Sequence, residues 1–85
     1  PSIHERNAEL FFVVDGEGAF ITGGELVDPV RRNPTNMAGT SIRGGQTRAV
    51  AKGDVVFIPA GTPHMIADVK STLTMVATHL PNVTQ

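Results

Sequence analysis

The chain of 85 residues contains no cysteine, so no disulfide can stabilise its fold. Tryptophan and tyrosine are also absent, and the aromatic residues are four phenylalanines. Seven lysines and arginines against eight acidic residues give a net charge of −1. The basic residues are scattered and form no stripe for phosphates, so we expect no nucleic-acid partner. No apolar run approaches the roughly 20 residues of a membrane span, so we expect no membrane partner either.

The length allows one domain, which we place at residues 1–85. A chain this short buries a small share of its surface, and without disulfides it needs another source of stability. A bound metal, a partner chain or further sequence would supply it. No signal peptide is visible, but that absence does not determine the compartment.

Short stretches of strand-forming residues alternate with glycine-rich turns, a pattern typical of β sandwiches and barrels. The predicted strands are residues 10–14, 19–22, 25–28, 46–51, 55–58, 64–67 and 72–80. Residues 15–18 are predicted to be the turn of a hairpin between the first two strands. Residues 29–45 contain prolines, asparagines and glycines and predict a long loop, either functional or mobile.

The first strand is apolar on both faces. If Glu9 points inward, strand alternation sends Phe11 and Val13 inward with it. Leu10 and Phe12 then point outward, although both are large and apolar. The outer face therefore needs a cover, which could be a second sheet, further N-terminal strands or another protomer.

The most informative stretch is an apolar strand that runs into a turn and ends on a histidine. Val55–Ile58 is apolar at both parities, as in a strand buried on both faces. Pro59 cannot donate to a sheet ladder and ends the strand. Gly61 and Pro63 suit a tight turn, which would direct His64 into a β structure.

This stretch resembles the second motif of the cupins. That motif consists of a glycine, five residues, Pro-x-Gly, two residues and a metal-binding histidine. Gly53, Pro59, Gly61 and His64 match it in the same spacing. The family usually has an asparagine four residues after the histidine, where this chain has Asp68.

The start of the chain resembles the first cupin motif, which reads His-x-His, three or four residues, Glu, six residues and Gly. His4, Glu9 and Gly16 match its second histidine, its glutamate and its glycine. The first histidine would fall at position 2, where this chain has Ser2. Cupins normally have strands before this motif, so we expect the natural protein to extend further toward its N-terminus.

The resemblance implies a cupin-type antiparallel double-sheet jelly-roll barrel. It implies a divalent metal ion, of Fe, Mn, Ni or Zn, bound by His4, Glu9 and His64. It also implies a homodimer, because cupins are often dimeric. We expect a pocket for a small-molecule ligand beside the metal. Its apolar walls are predicted to include Phe11, Val13, Phe57, Ile66 and Met75.

The spacing of His4 and Glu9 requires a turn between them. Residues five apart on one strand point to opposite faces, so the polar residues 5–8 are predicted to form a hairpin turn. His4 would then lie beside Glu9 on the neighbouring strand. Two imidazoles and a carboxylate suit a divalent metal. The alternative is a hydrogen-bonded cluster in which Ser2 joins these side chains without a metal.

The third histidine, His79, follows Leu73, Met75 and Ala77 on one parity of the last predicted strand. That face could line the interior, where His79 would be a fourth ligand or a general base. We favour the other interpretation, in which His79 lies near the strand end and tips toward solvent.

The sequence supports two main functions and assigns no catalytic residue. The first is a metal-dependent enzyme of the dioxygenase, isomerase or lyase type that acts on a small organic substrate. The alternative is a non-catalytic module that binds a small molecule without a tightly bound metal. A scaffold or storage role is a third. The fold alone does not decide among them.

Overall fold

The computed structural model describes residues 1–70 and 72–81, which contain ten β-strands and no helix. The described residues therefore include no helix that could cross a membrane. The strands are β1 (Ser2–His4), β2 (Asn7–Thr22), β3 (Glu25–Val27), β4 (Val30–Asn33), β5 (Asn36–Ala38), β6 (Ser41–Arg43), β7 (Gln46–Ala51), β8 (Val55–Ile58), β9 (His64–Ala67) and β10 (Leu73–Pro81). The predictions for β7, β8 and β9 are confirmed, and β10 begins and ends one residue later than predicted.

The long strand β2 organises the molecule. Its first half pairs with β8 and β10, and its second half pairs with β7 and β9. The predicted hairpin turn at residues 15–18 is wrong, because the chain continues through it as one strand. Gly16 takes a φ of 91° there, and a Cβ atom at this position would overlap the Thr72 carbonyl oxygen. The glycine therefore marks the place where β2 passes from one group of partners to the other.

The predicted loop at residues 29–45 is also wrong, since it contains β4, β5 and β6. β4 and β5 form a hairpin, β5 pairs with β1, and β6 pairs with β3. These strands are three or four residues long, and β4 is exposed along its whole length. β5 and β6 pair with the earlier strands β1 and β3, and β4 pairs with β5. None of the three shows the apolar alternation on which the strand prediction depended.

All pairings are antiparallel, which confirms the predicted all-β antiparallel fold class. Eight strands form one sheet with the order β10-β2-β9-β1-β5-β4, with β7 and β8 paired to β2 off this path. β3 and β6 form a separate two-stranded sheet. The larger sheet does not close on itself within the described strands, so the barrel is open.

The core lies between the two halves of β2. Phe11 from the first half and Phe20 from the second pack with their ring centroids 5.0 Å apart. Phe20 is fully buried, and Val13, Val50 and Val56 pack beside the two rings. Packing of residues from both halves holds the bend of β2 in place, because separating the halves would expose this cluster to water.

Side chains in the first half of β2 alternate between a buried and an exposed face, as predicted. Phe11 and Val13 are buried, whereas Phe12 is exposed. Phe57 was predicted to line the pocket, and this is wrong because it is 54% exposed. It pairs directly with Leu10, and residues directly opposite each other on paired strands share a face. We call the apolar outward residues of β2, β8 and β10 the outer face: Phe12, Val14, Val55, Phe57, Val76 and Leu80.

Candidate functional site

Three strands bring the three predicted ligands together. His4 is the last residue of β1, Glu9 lies near the start of β2, and His64 is the first residue of β9. The predicted hairpin between β1 and β2 is wrong, since β1 pairs with β5 and β9. His64 faces Ser2 of β1 on one side and Thr22 of β2 on the other. β9 therefore lies between the two strands that carry the first motif.

The side chains of these residues converge on one carboxylate oxygen. Glu9 Oε1 lies 3.3 Å from His4 Nε2 and 3.2 Å from His64 Nε2. One donor atom from each residue lies within 4.8 Å of the others, a separation at which the group could hold a metal ion. Spacing in the sequence thus identified three residues that the fold does bring together.

The turn before β9 determines where His64 points. Gly61 has a φ of 79°, which favours glycine, and its N–H donates to the His4 carbonyl oxygen at 2.9 Å. The Pro63 carbonyl oxygen accepts a hydrogen bond from Gly23 N–H at 2.9 Å. The turn is therefore attached to β1 at the residue that carries the other imidazole.

The Nδ1 atoms of His4 and His64 form hydrogen bonds with groups other than Glu9. His64 Nδ1 lies 3.2 Å from the Thr62 carbonyl oxygen, which can only accept, so this nitrogen carries the proton. His4 Nδ1 lies 3.0 Å from Asn36 Oδ1 and donates to it in the same way. In the neutral form of each ring, Nε2 then presents a lone pair toward Glu9. Metal-binding histidines show this arrangement.

Burial favours the neutral form of His64. The residue is 8% exposed, and this burial lowers the pKa of its imidazole, against the opposing influence of the Thr62 carbonyl and the Glu9 carboxylate. Glu9 is 7% exposed, and among the described residues its Oε1 has no hydrogen-bond partner. A buried carboxylate oxygen without a donor is costly unless a cation or proton reaches it.

His79 reaches the same carboxylate from the last strand, β10. Its Nε2 lies 3.1 Å from Glu9 Oε2, and its side chain is 49% exposed. The favoured interpretation, a histidine tipped toward solvent, therefore missed its contact with Glu9. Sequence parity placed His79 on the correct face, but the residue opposite it on β2 could not be predicted from spacing.

A cavity of about 570 Å³ opens onto the cluster. Besides the three ligand candidates, its lining consists of Pro1, Ser2, Phe11, Met65 and Ile66. Of the predicted apolar walls, Phe11 and Ile66 do line this cavity. Two others, Val13 and Met75, pack in or against the core instead. Ser2 contributes a hydroxyl at the position where the first motif has a histidine.

Comparison with known protein families identifies the family of this chain. The sequence model of one protein family, described as Cupin, matches residues 1–83 of the chain. The chain belongs to the cupin family. No match to it was found among curated proteins or among solved structures. His4, Glu9 and His64 are the residues that match the two cupin motifs, whereas Ser2 departs from the first motif and His79 belongs to neither.

Proposed function

We propose that this protein is a metal-binding cupin domain in which His4, Glu9 and His64 bind one divalent ion. The observation that carries the proposal is the buried Oε1 atom of Glu9. It lies 3.2 Å and 3.3 Å from two imidazole nitrogens and has no hydrogen-bond partner among the described residues. Three lone pairs that converge without a proton between them repel one another, and a cation removes that repulsion.

The spacing of the donor atoms fits such an ion. Two ligand atoms bound at about 2.1 Å and separated by an angle of about 90–110° lie about 3.0–3.4 Å apart. The distances from Glu9 Oε1 to His4 Nε2 and His64 Nε2 fall in this interval. Imidazole and carboxylate donors suit Fe, Mn, Ni and Zn, and the donor set does not select one of them.

The cavity supports a role with a small organic ligand. One carboxylate leaves the neutral imidazole cluster with a charge of −1, so a divalent ion would make the site positive. An organic acid entering beside Phe11 and Ile66 would meet that charge across a mostly apolar wall. When bound, the metal would supply a Lewis acid for isomerase or lyase chemistry, and a redox-active ion such as iron would supply the electrons for dioxygenase chemistry. His4, His64 and Glu9 would hold it, and the apolar wall would orient the ligand.

A second candidate is a module that binds a small molecule without a tightly bound metal. The observation that favours it is Ser2, since a neutral hydroxyl replaces one imidazole of the family's ligand set. In that case a proton shared among Glu9 and the histidines would neutralise the cluster. The cavity would bind its ligand through hydrogen bonds to these side chains.

Elemental analysis of protein purified without added metal separates the two candidates. We expect close to one Fe, Mn, Ni or Zn per chain. Glu9→Gln should lower metal affinity by at least roughly 100-fold, because even the loss of residues that only support metal ligands costs roughly 10–100-fold. Glu17→Gln is the matched control, since Glu17 lies on the same strand and is exposed. Metal content that survives both Glu9→Gln and His64→Ala would contradict the proposed ligand set.

We also propose that the protein is a homodimer that covers the outer face. All six residues of this face are apolar and at least 40% exposed, so two copies can meet there without burying a charge. Phe57→Lys should convert a dimer, of twice 9.0 kDa, into a monomer in light scattering coupled to size exclusion. Val30→Lys, an exposed apolar position on β4, should leave the dimer intact. A monomeric wild type would refute this proposal.

A further inference from the structure

We infer that His79 is a fourth protein ligand of the metal and replaces the histidine that the first motif lacks at position 2. The inference rests on the proposed metal site. It assigns the role to an imidazole from the last strand, which neither cupin motif includes.

The strand register places His79 at the site. β10 runs antiparallel to β2, and His79 is directly opposite Glu9. Directly opposite residues share a face of the sheet, so both side chains point the same way. His79 Nε2 lies 3.1 Å from Glu9 Oε2, and its ring centroid lies 5.1 Å from that of His4. The imidazole is therefore within reach of both ligands of the first motif.

The exposure of His79 allows the adjustment that binding requires. The group whose donor atoms all lie within 4.8 Å of one another comprises His4, Glu9 and His64 and does not include His79, so the His79 ring must move to share an ion with them. Its side chain is 49% exposed, so about half of its surface is free of protein contacts and the ring can turn toward a shared ion. His64, at 9% side-chain exposure, has no such freedom and is held by Thr62.

The chemistry of Ser2 leaves a coordination position open. Ser2 lies opposite His64 on β1, where an imidazole would face the cluster. Its neutral hydroxyl binds a divalent ion weakly, whereas imidazole suits iron, nickel, copper and zinc. With His79, the site regains three imidazoles and one carboxylate, the donor types of the family motif, from a different strand.

Copper(II) is the probe that counts the nitrogen ligands. Its paramagnetic resonance spectrum is split by each directly bound ¹⁴N nucleus. We expect three imidazole nitrogens in the wild type and two in His79→Ala, with copper affinity lowered roughly 10–100-fold. Thr78→Ala, the neighbouring exposed position on β10, should keep three nitrogens and the wild-type affinity. Ser2→His combined with His79→Ala should return the count to three.

The possible outcomes separate this inference from the proposed function. If the wild-type spectrum shows two bound nitrogens, and only substitutions of His4 and His64 remove them, the role of His79 is overturned and the three-residue metal site stands. The wild-type count decides this even if His79→Ala does not fold. A wild type that binds no copper, or binds it equally well after His64→Ala, would overturn the metal site and the role of His79 together.

Discussion

The two faces of the first half of β2 carry similar side chains in different surroundings. On the inner face, Phe11 and Val13 are buried on the same side as the carboxylate of Glu9. On the outer face, Phe12 and Val14 are exposed although they are equally apolar. The inner face is covered because β2 bends and brings its own second half over it. No described strand covers the outer face, so hydrophobicity alone does not show which side of a strand is the core.

The largest effect expected from this comparison concerns two adjacent phenylalanines. Phe11 is 8% exposed and packs against Phe20, whereas Phe12 is 47% exposed. Phe11→Ala should lower the free energy of unfolding by about 3–5 kcal/mol, the usual cost of emptying a core position. Phe12→Ala should cost about 1 kcal/mol or less, because nearly half of the Phe12 surface already faces solvent in the folded chain. Urea denaturation measures both.

Two precautions make that comparison decisive. Both variants are made in the Phe57→Lys background, so that a dimer contact at Phe12 does not contribute. If Phe11→Ala is too unstable to study, Phe11→Leu and Phe12→Leu form a milder pair with the same expected order. Equal losses at the two positions would show that the outer face is covered by part of the same chain.

A smaller effect is expected from alanine at Gly16, in the bend of β2 that creates the covered face. Gly53, in the turn between β7 and β8, is the control, because it also has a positive φ, of 94°. A Cβ atom at Gly53 would meet no atom within 4 Å apart from its chain neighbours, so Gly53→Ala adds only backbone strain of about 1–2 kcal/mol. Gly16→Ala adds an overlap with the Thr72 carbonyl, which should raise the loss by about 1–3 kcal/mol. Thermal and urea unfolding compare the two. Equal losses would mean that the bend can relax away from β10.

Strand prediction succeeded where residue chemistry marked both the strand and its ends. β8 is an apolar run bounded by Gly53 and Pro59, and β9 begins after the turn that contains Gly61 and Pro63. It failed at residues 29–45 because the strands there are short and mostly exposed or half-buried. A strand whose stability comes from backbone pairing with a distant segment leaves little signal in its own side chains.

The candidate site, like the strands, was predictable only where the local sequence marked it. Motif spacing identified His4, Glu9 and His64, because the motifs hold these residues at defined positions. The partners of the imidazoles, Asn36 and the Thr62 carbonyl, could not be predicted in the same way. Asn36 is 32 residues from His4 in sequence, and the two meet only because β5 pairs with β1.

The sequence by itself determined the fold class, the family and the three residues of the cluster, since alternation, turn glycines and motif spacing are local properties of the chain. The tertiary structure alone decided which face of β2 is covered, that β2 bends at Gly16 without reversing, and that His79 meets Glu9. Each of these depends on the register between strands far apart in sequence. Register is set by the packing of the whole chain and is not encoded at any single position.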